Sequence, residues 1–374
     1  MDFSLTEVQA MLDDSVEKFI SNDYDFDTRQ KYAGSEQGFS GEVWQIFAEL
    51  GWTAVPFSEE DGGFGGSPID LMVLMLRFGK GLIVEPYLAN IVLAGGVLRR
   101  AANPEQKERW LQPIIAGELQ AALAFVEPQS RYDVSNVATT AQADGDGWII
   151  NGNKGVVLNG GNAELLIVPA RTAGEQSDQD GITLFAVAAD ADGVTRNSYA
   201  TVDGHQAAEI HFANVQLAGD SLIGEVGNGL DTLDAVVDDA TLAISAEAVG
   251  IMQIMTDKTV EYSKNRMQFG VPISSFQALQ HRMVEMFTDC EQSYSLLIRA
   301  AMLASQSSDE AKAAISAIKY QVGTAGRKVG QEAVQIHGGM GVSWDLDIAH
   351  YFKRLTAIDQ MLGNADWHLD RLAG

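Results

Sequence analysis

The spacing of apolar residues divides the chain into a helical section, a β section and a second helical section. Up to about residue 120, apolar residues recur at helical spacing, as in 42–50, where a glycine then ends the pattern. A turn-rich piece at 56–66 separates this helix from the one that Pro68 opens. Another amphipathic segment covers 105–116. These features predict an N-terminal α-helical domain over residues 1–120.

From about residue 121 the apolar residues form short or alternating runs, which glycine and aspartate separate. Segments of this kind, bounded by turn residues, are typical of an antiparallel sheet or a small barrel. We therefore predict a middle β domain over residues 121–225, with an exposed hairpin tip at 174–181. The predicted strands lie at 148–152, 165–168, 182–187 and 209–212.

Helical spacing returns after residue 226 and continues along the rest of the chain. The longest predicted helices lie at 243–262, 283–304 and 309–336, and all of them are rich in alanine. Long helices of this kind usually pack as an antiparallel bundle. We therefore predict a C-terminal α-helical bundle over residues 226–374, and the fold class is α+β with several domains.

Composition and charge exclude several classes of function. The chain is 46% apolar with a mean hydropathy of -0.03, which fits a soluble protein. Its single cysteine, Cys290, excludes an internal disulfide framework and a cysteine-based metal cluster. A net charge of -26 argues against nucleic-acid binding and against anionic membrane surfaces. With no signal-peptide pattern and no apolar run near the roughly 20 residues of a membrane helix, we expect a cytoplasmic protein without membrane insertion.

Two segments of the C-terminal section combine residue types that suit a nucleotide. Residues 266–277 (RMQFGVPISSFQ) bring together an arginine, two phenylalanines, a glycine and an amide, and residues 335–341 (QIHGGMG) form a glycine-dense turn. Arginine holds phosphate through its planar guanidinium, and glycines let the backbone approach a ligand closely. Together the two segments suit a dinucleotide better than a bare phosphate.

The order of several motifs makes the whole chain similar to the acyl-CoA dehydrogenase family. Residues 47–51 (FAELG) and 60–66 (EDGGFGG) resemble its N-terminal signature, and 147–154 (GWIINGNK) resembles its β-domain hairpin. Segments 266–277 and 335–341 match its two C-terminal cofactor motifs. The resemblance implies an N-terminal helical domain, a central antiparallel β-barrel and a C-terminal four-helix bundle. It also implies α,β-desaturation of an acyl-CoA thioester, FAD as the cofactor and an electron-transfer flavoprotein as the electron acceptor.

The resemblance assigns seven residues to the nucleotide end of FAD. In relatives, the arginine and phenylalanine of R-x-x-F-G contact the pyrophosphate and adenine end of FAD that a neighbouring subunit mainly holds. Arg266 and Phe269 occupy these places here, and Phe276 and Gln277 match the cofactor contacts that follow in relatives. Gln335, Gly338 and Gly339 match the Q-x-x-G-G loop, which lies against the same nucleotide in relatives. An alternative stays open, in which the phenylalanines belong to the core and the glycines only break a helix. His281 and His337 flank these motifs, either as FAD contacts or as packed histidines.

The residues that should contact the flavin ring depart from the family pattern. Where relatives have T-E-P-x-x-G-S-D, this chain reads VEPQSRYD, so that Val126, Arg131 and Tyr132 replace threonine, glycine and serine. An arginine and a tyrosine at these positions would crowd a flavin lying there. Relatives also have tryptophan and threonine against the flavin, where this chain has Val156 and Leu158.

The glutamate that serves as the family's base is also missing. Its usual position falls at Gly363, and the alternative position on the helix that begins the C-terminal bundle falls at Ala240. Asp238 and Asp239 are imperfect substitutes, because each residue along a helix is rotated by about 100° from the last. We expect them to act as carboxylates at a helix start, and catalytic residues stay unassigned. Two further carboxylates, expected at the surface or in ion pairs, are Asp359 and Asp366.

These departures favour an asymmetric partnership, as in the bacterial heteromeric members of the family that act on pimeloyl-CoA or steroid side chains. The first hypothesis is a subunit of an α2β2 acyl-CoA dehydrogenase that completes the FAD site of a second, catalytic chain. The second is a self-sufficient homotetramer with a displaced base, Asp238 or Asp239. The third is a flavin-free structural or regulatory subunit. The acyl group stays open, with lipid or steroid degradation as the expected setting.

Overall fold

The computed structural model describes residues 4–373, whose helices and strands follow the helical, β, helical order that the apolar pattern predicts. The α-helices are α1 (Glu7–Asp23), α2 (Phe26–Ala33), α3 (Gly41–Glu49), α4 (Pro68–Gly81), α5 (Gly96–Ala101), α6 (Pro104–Gln106), α7 (Gln112–Ile115), α8 (Leu230–Asn265), α9 (Gln277–Ser305), α10 (Ala311–His337), α11 (Asp347–Gln360) and α12 (Ala365–Ala373). The β-strands are β1 (Ala121–Leu123), β2 (Thr140–Asp144), β3 (Gly147–Leu158), β4 (Leu165–Arg171), β5 (Ile182–Ala188), β6 (Val194–Ala200), β7 (Gln206–Leu217), β8 (Leu222–Ile223), β9 (Met267–Gln268) and β10 (Val271–Pro272).

Tertiary contacts group the chain into two compact units. One unit contains the chain up to Lys31, the segment Ser67–Ile83 and everything from Thr241 onward. The other contains Tyr32–Gly66 and Val84–Ala240. The helices of the N-terminal section are thus divided, because α1 and α4 pack with the C-terminal helices while α3 and α5 to α7 belong with the sheet.

Helix α4 begins at Pro68, as the sequence predicts, and its start is well capped. The Ser67 hydroxyl accepts a hydrogen bond from the Asp70 N–H, and the Asp70 carboxylate accepts one from the Ser67 N–H. This reciprocal pair satisfies two backbone donors that a helix start otherwise leaves without partners. Farther along, α4 packs directly on α8, since a Cβ at Gly79 would clash with the backbone carbonyl of Glu247.

The second unit is built around a mainly antiparallel sheet with the strand order β6-β7-β3-β2-β4-β5-β8, and β1 pairs in parallel with β4. All four predicted strands lie within β3, β4, β5 and β7. Their inward side chains, among them Ile150, Leu166, Phe185 and Phe212, form one buried cluster. The predicted hairpin tip joins β4 to β5 and is largely exposed. Strand β6 carried no apolar signal, because most of its residues are exposed at the sheet edge.

The C-terminal helices form the predicted antiparallel bundle. Helix α8 has 36 residues, and ion pairs such as Lys328–Asp289 at 3.1 Å and Arg299–Glu310 at 3.3 Å show that α9 and α10 run in opposite directions. On its other face α10 packs against α11. A Cβ at Gly330 would clash with the Phe352 ring, so the glycines along α10 permit this close approach.

No helix between residues 4 and 373 is both long and apolar enough to cross a membrane. Within the same residues, no group of three or more histidine, cysteine, aspartate or glutamate side chains is arranged to hold a metal ion.

Candidate functional site

The first predicted cofactor segment forms a small hairpin where α8 ends. Strand β9 pairs with the antiparallel β10, and the two residues between them, Phe269 and Gly270, have φ angles of 52° and 83°. A two-residue hairpin turn with both φ angles positive accepts glycine readily and other residues at a cost in strain. The Phe269 ring is nevertheless 92% exposed, and it meets the edge of Phe276 with a centroid distance of 6.2 Å. The structure therefore excludes the alternative that Phe269 belongs to the core.

The backbone of Arg266 is fixed by two hydrogen bonds, whereas its side chain is exposed. Its N–H donates to the carbonyl oxygen of Tyr262 at 2.9 Å, and its own carbonyl oxygen accepts from the Ile273 N–H at 2.8 Å. The guanidinium is exposed and makes no hydrogen bond or ion pair to any residue between 4 and 373. All of its donors are thus available to a ligand or a partner.

The second predicted segment begins at the last turn of α10. Gly338 has a φ of 61°, and a Cβ added at Gly338 or Gly339 would meet no atom within 4 Å. In contrast, a Cβ at Gly341 would clash with the carbonyl oxygen of Val334, so this third glycine allows the loop to pack back against α10. The backbone of the first two glycines therefore borders open space. The side chain of Gln335, at the same helix end, is also exposed.

A stacked ring pair brings the two segments to the same end of the bundle. The rings of Tyr262 and His337 lie 4.2 Å apart with an interplanar angle of 27°. His337 is 5% exposed, its Nδ1 hydrogen-bonds the carbonyl oxygen of Ala333 at 2.8 Å, and burial lowers its pKa. Of the two possibilities for His337, the structure therefore shows the packed one, whereas His281 lies exposed on α9.

The predicted flavin-facing segment, in the other unit, is anchored by a buried ion pair that the sequence analysis did not anticipate. Lys154 donates to Glu127 at 2.7 Å and to the carbonyl oxygen of Pro169 at 2.8 Å. Burial raises the pKa of Glu127, but the Lys154 charge and the hydrogen bonds to the carboxylate together outweigh burial and hold that pKa below its usual value. Burial lowers the pKa of Lys154 to about 8. Glu127 and Lys154 both lie in segments that resemble family motifs, and this resemblance was the only sign in the sequence that could have pointed to the pair.

Arg131 keeps a backbone conformation that suits the glycine of the family pattern. Its φ is 48°, and its side chain is exposed. A left-handed conformation costs a non-glycine residue roughly 1 kcal/mol. On β3, Val156 is 49% exposed and Leu158 is half-buried, and neither side chain carries a hydroxyl. The chemistry that relatives present to the flavin ring is therefore absent at these positions.

The turn at Gly363 leaves no room for the missing base. Gly363 is buried with a φ of 100°, and an added Cβ would lie 2.5 Å from the Trp367 ring and 2.7 Å from Nε2 of His368. The Lys319 ammonium donates to the carbonyl oxygen of Gly363 at 2.5 Å and to that of Asp359 at 3.2 Å. These contacts tie the turn to α10.

The other carboxylates considered from the sequence are in part engaged in ion pairs. Asp239 binds Arg99 at 2.9 Å and Arg100 at 2.5 Å. Asp359 accepts from Arg327 at 2.8 Å. The remaining positions considered are buried Ala240, Asp238 with 6% exposure, and exposed Asp366. The expectation that Asp238 and Asp239 stand at a helix start is wrong, because α8 already begins at Leu230.

Comparison with known proteins identifies the family. Three family models match in order: the acyl-CoA dehydrogenase N-terminal domain over residues 6–118, the middle domain over 122–215 and the C-terminal domain over 227–374. A curated relative, the probable acyl-CoA dehydrogenase YngJ of Bacillus subtilis, is 31% identical over 346 residues, which cover 91% of this chain and 90% of that protein. The chain therefore belongs to the acyl-CoA dehydrogenase family, whose members are oxidoreductases, and the resemblance read from its motifs is confirmed.

Solved structures agree over the whole length. The FAD complex of PigA is 26% identical with a TM-score of 0.93, and the match covers 100% of this chain and 98% of PigA. The ChsE4-ChsE5 complex from Mycobacterium tuberculosis is 26% identical with a TM-score of 0.90, again over 100% of this chain and 98% of the matched one. These matches confirm the predicted fold: an N-terminal helical domain, a middle β domain and a C-terminal helical domain.

Proposed function

We propose that this chain is one subunit of a hetero-oligomeric, FAD-dependent acyl-CoA dehydrogenase and completes the FAD site of a catalytic partner chain. The observation that carries the proposal is a contrast within the C-terminal helices. The residues that match the nucleotide motif are exposed and open, whereas Gly363, at the usual position of the base, lies in a closed turn that admits no side chain.

The open residues fit the nucleotide end of FAD. The exposed Arg266 guanidinium suits a diphosphate through paired hydrogen bonds. The exposed ring of Phe269 offers a face for the adenine, and the backbone at Gly338 and Gly339 can approach a ligand closely. When bound, FAD supplies the acceptor for the hydride that leaves the acyl group. Phe276, Gln277 and Gln335 complete the set, with one more ring and two amides.

The residues at the positions of the flavin-ring contacts fit FAD less well than the residues at its nucleotide end. Arg131 and Tyr132 are larger than the glycine and serine of relatives, and Leu158 has no hydroxyl to donate. Asp239 is held between two arginines, which makes it a poor base. A partner chain with the intact flavin segment and the glutamate would supply both missing functions.

Exposed apolar side chains at the same end of the bundle support an interface with that partner. Met267, Phe269, Met340 and Val342 are 52%, 92%, 54% and 71% exposed. Large apolar residues gathered at one exposed site are a common mark of a protein–protein interface. A two-chain assembly also has a precedent in the ChsE4-ChsE5 complex. The complete assembly would be α2β2, with an acyl-CoA substrate and an electron-transfer flavoprotein as the acceptor.

The test is expression of this chain alone and together with an acyl-CoA dehydrogenase chain of the same organism that carries the intact flavin segment and the glutamate. We expect the lone chain to hold far less than one FAD per chain, and the co-purified complex to bind FAD and oxidise acyl-CoA. Arg266→Ala should lower the FAD content of the complex. Arg299→Ala, which changes an exposed arginine elsewhere on the bundle, is the matched control. Stoichiometric FAD and full activity in the lone chain would contradict the proposal, and unchanged flavin in Arg266→Ala would favour a flavin-free subunit.

A further inference from the structure

Tyr262 touches both predicted cofactor segments through three separate contacts. Its carbonyl oxygen accepts the Arg266 N–H at 2.9 Å. Its ring stacks on His337 at 4.2 Å, and its hydroxyl donates to the carbonyl oxygen of His337 at 3.4 Å. Arg266 lies one helical turn beyond Tyr262, and Gly338 directly follows His337. The Tyr262 side chain thus joins α8, one turn before Arg266, to the last residue of α10 before the glycine loop.

The His337 side of this link is itself fixed. The imidazole is buried, and its Nδ1 donates to the carbonyl oxygen of Ala333 one turn earlier in α10. Because this bond occupies one ring nitrogen, the plane of the imidazole is set by its own helix. The Tyr262 ring therefore stacks on a surface that does not depend on a ligand.

The groups on either side of the link have no comparable anchor. The Arg266 guanidinium has no partner among residues 4–373, and the space beside Gly338 and Gly339 is open. A ligand that uses both segments gains affinity when their spacing is set before it binds, because less order has to be created on binding. Paired hydrogen bonds from an arginine tolerate displacements of only about 0.5 Å.

We propose that Tyr262 is a positioning residue that holds Arg266 and the Gly338–Gly339 loop at a fixed separation for the diphosphate of FAD. This inference rests on the proposed function. It assigns to the Tyr262–His337 pair a role in cofactor affinity, in addition to its packing of α8 against α10.

The test uses the co-purified two-chain complex, stripped of flavin and titrated with FAD by the change in flavin fluorescence. We expect Tyr262→Leu, which removes the stack, to raise the Kd for FAD by roughly tenfold, the upper end of what one lost aromatic contact costs. Tyr262→Phe should stay within about threefold of wild type, because the hydroxyl contact is long and weak. Tyr320→Leu is the matched control, since Tyr320 is half-buried on α10 but lies roughly 25 Å along the helix from His337.

Two more measurements separate positioning from a purely structural role. ADP, as a competitor of FAD, should lose affinity in Tyr262→Leu by the same factor as FAD, whereas FMN should not. In a double-mutant cycle of Tyr262→Leu with Arg266→Ala, the double variant should bind FAD only slightly less tightly than Arg266→Ala alone, because both changes disrupt the same diphosphate contact.

Each outcome has one meaning. Wild-type FAD affinity in Tyr262→Leu, beside a loss in Arg266→Ala, would overturn the positioning role and leave the proposed function standing. Additive losses in the double variant, or equal losses for FMN and ADP, would also overturn it. Normal FAD affinity in Arg266→Ala would contradict the proposed function and the positioning role together.

Discussion

The Lys319 ammonium donates a 2.5 Å hydrogen bond to the carbonyl oxygen of Gly363, across 44 positions of sequence. Lys319 is fully buried, and its second bond goes to the carbonyl oxygen of Asp359. His368 adds a 2.9 Å bond to the carbonyl oxygen of Leu362. In this family member, the turn at the usual position of the base is therefore part of the folded core.

Reintroducing the glutamate at this turn should not restore a base. For Gly363→Glu we expect no gain of acyl-CoA oxidation by the lone chain. We also expect a loss of about 2–4 kcal/mol of stability, from a left-handed backbone together with overlap on Trp367 and His368. Urea unfolding and a dye-reduction assay measure the two effects, and Asp366→Asn at an exposed position nearby is the control. A stable Gly363→Glu chain that oxidises acyl-CoA would show that the turn opens readily.

The buried Lys319 predicts a pH dependence of stability with a definite sign. Burial lowers its pKa from 10.5 to about 8, so between these values the unfolded chain binds more protons than the folded one. Stability contributed at this site therefore rises with pH across that window, because the cost of burying the charge disappears. Lys319→Met abolishes this contribution.

The measurement is the difference in unfolding free energy between wild type and Lys319→Met at pH 7.5 and pH 9.5, which brackets most of that window. The unfolding free energy of wild type, relative to that of Lys319→Met, should be larger at pH 9.5 than at pH 7.5. Lys312→Met, at an exposed position on the same helix, should show no such trend. An unchanged or opposite difference for Lys319→Met would contradict a lowered pKa.

The buried Lys154–Glu127 pair should matter far more than an exposed one. Lys154→Met leaves the Glu127 carboxylate without its counter-charge, and such a change typically costs about 3–5 kcal/mol. Lys18→Met breaks a pair of similar length, with Asp14 at 2.6 Å, but both side chains are more than half exposed, so we expect less than about 1 kcal/mol. Denaturant unfolding of both variants tests this ranking, which equal losses would refute.

Arg131 offers a test of backbone strain in the segment that matches the flavin-facing motif of relatives. Arg131→Gly should change stability by less than about 1 kcal/mol, because relief of the left-handed strain is offset by the flexibility of glycine in the unfolded chain. Arg131→Val should be less stable than wild type, since β-branched residues tolerate a positive φ poorly. Thermal melts in parallel compare the two, and a stabilising valine would mean that φ is not positive in solution.

The sequence by itself determined the elements whose signal is local. Helices α8 to α10 and strands β3 and β7 bury one face along much of their length, so their apolar spacing shows in the chain. Strands β4 and β5 are buried on both faces and show as short continuous apolar runs. The family followed from motifs that are each contiguous, such as residues 266–277 and 335–341. Edge strand β6, which buries little, and the π-helical stretch Leu88–Gly95, whose residues are all buried, carried no comparable periodic pattern.

Only the tertiary structure decided which residues meet across the chain. Tyr262 and His337, Lys319 and Gly363, and Lys154 and Glu127 are each separated by at least 27 positions, and no local spacing records such a contact. The division of the N-terminal helices between the two units has the same cause, since it depends on which apolar faces fit each other. Phe269 shows the converse: its residue type predicts burial, whereas the folded hairpin leaves its ring exposed.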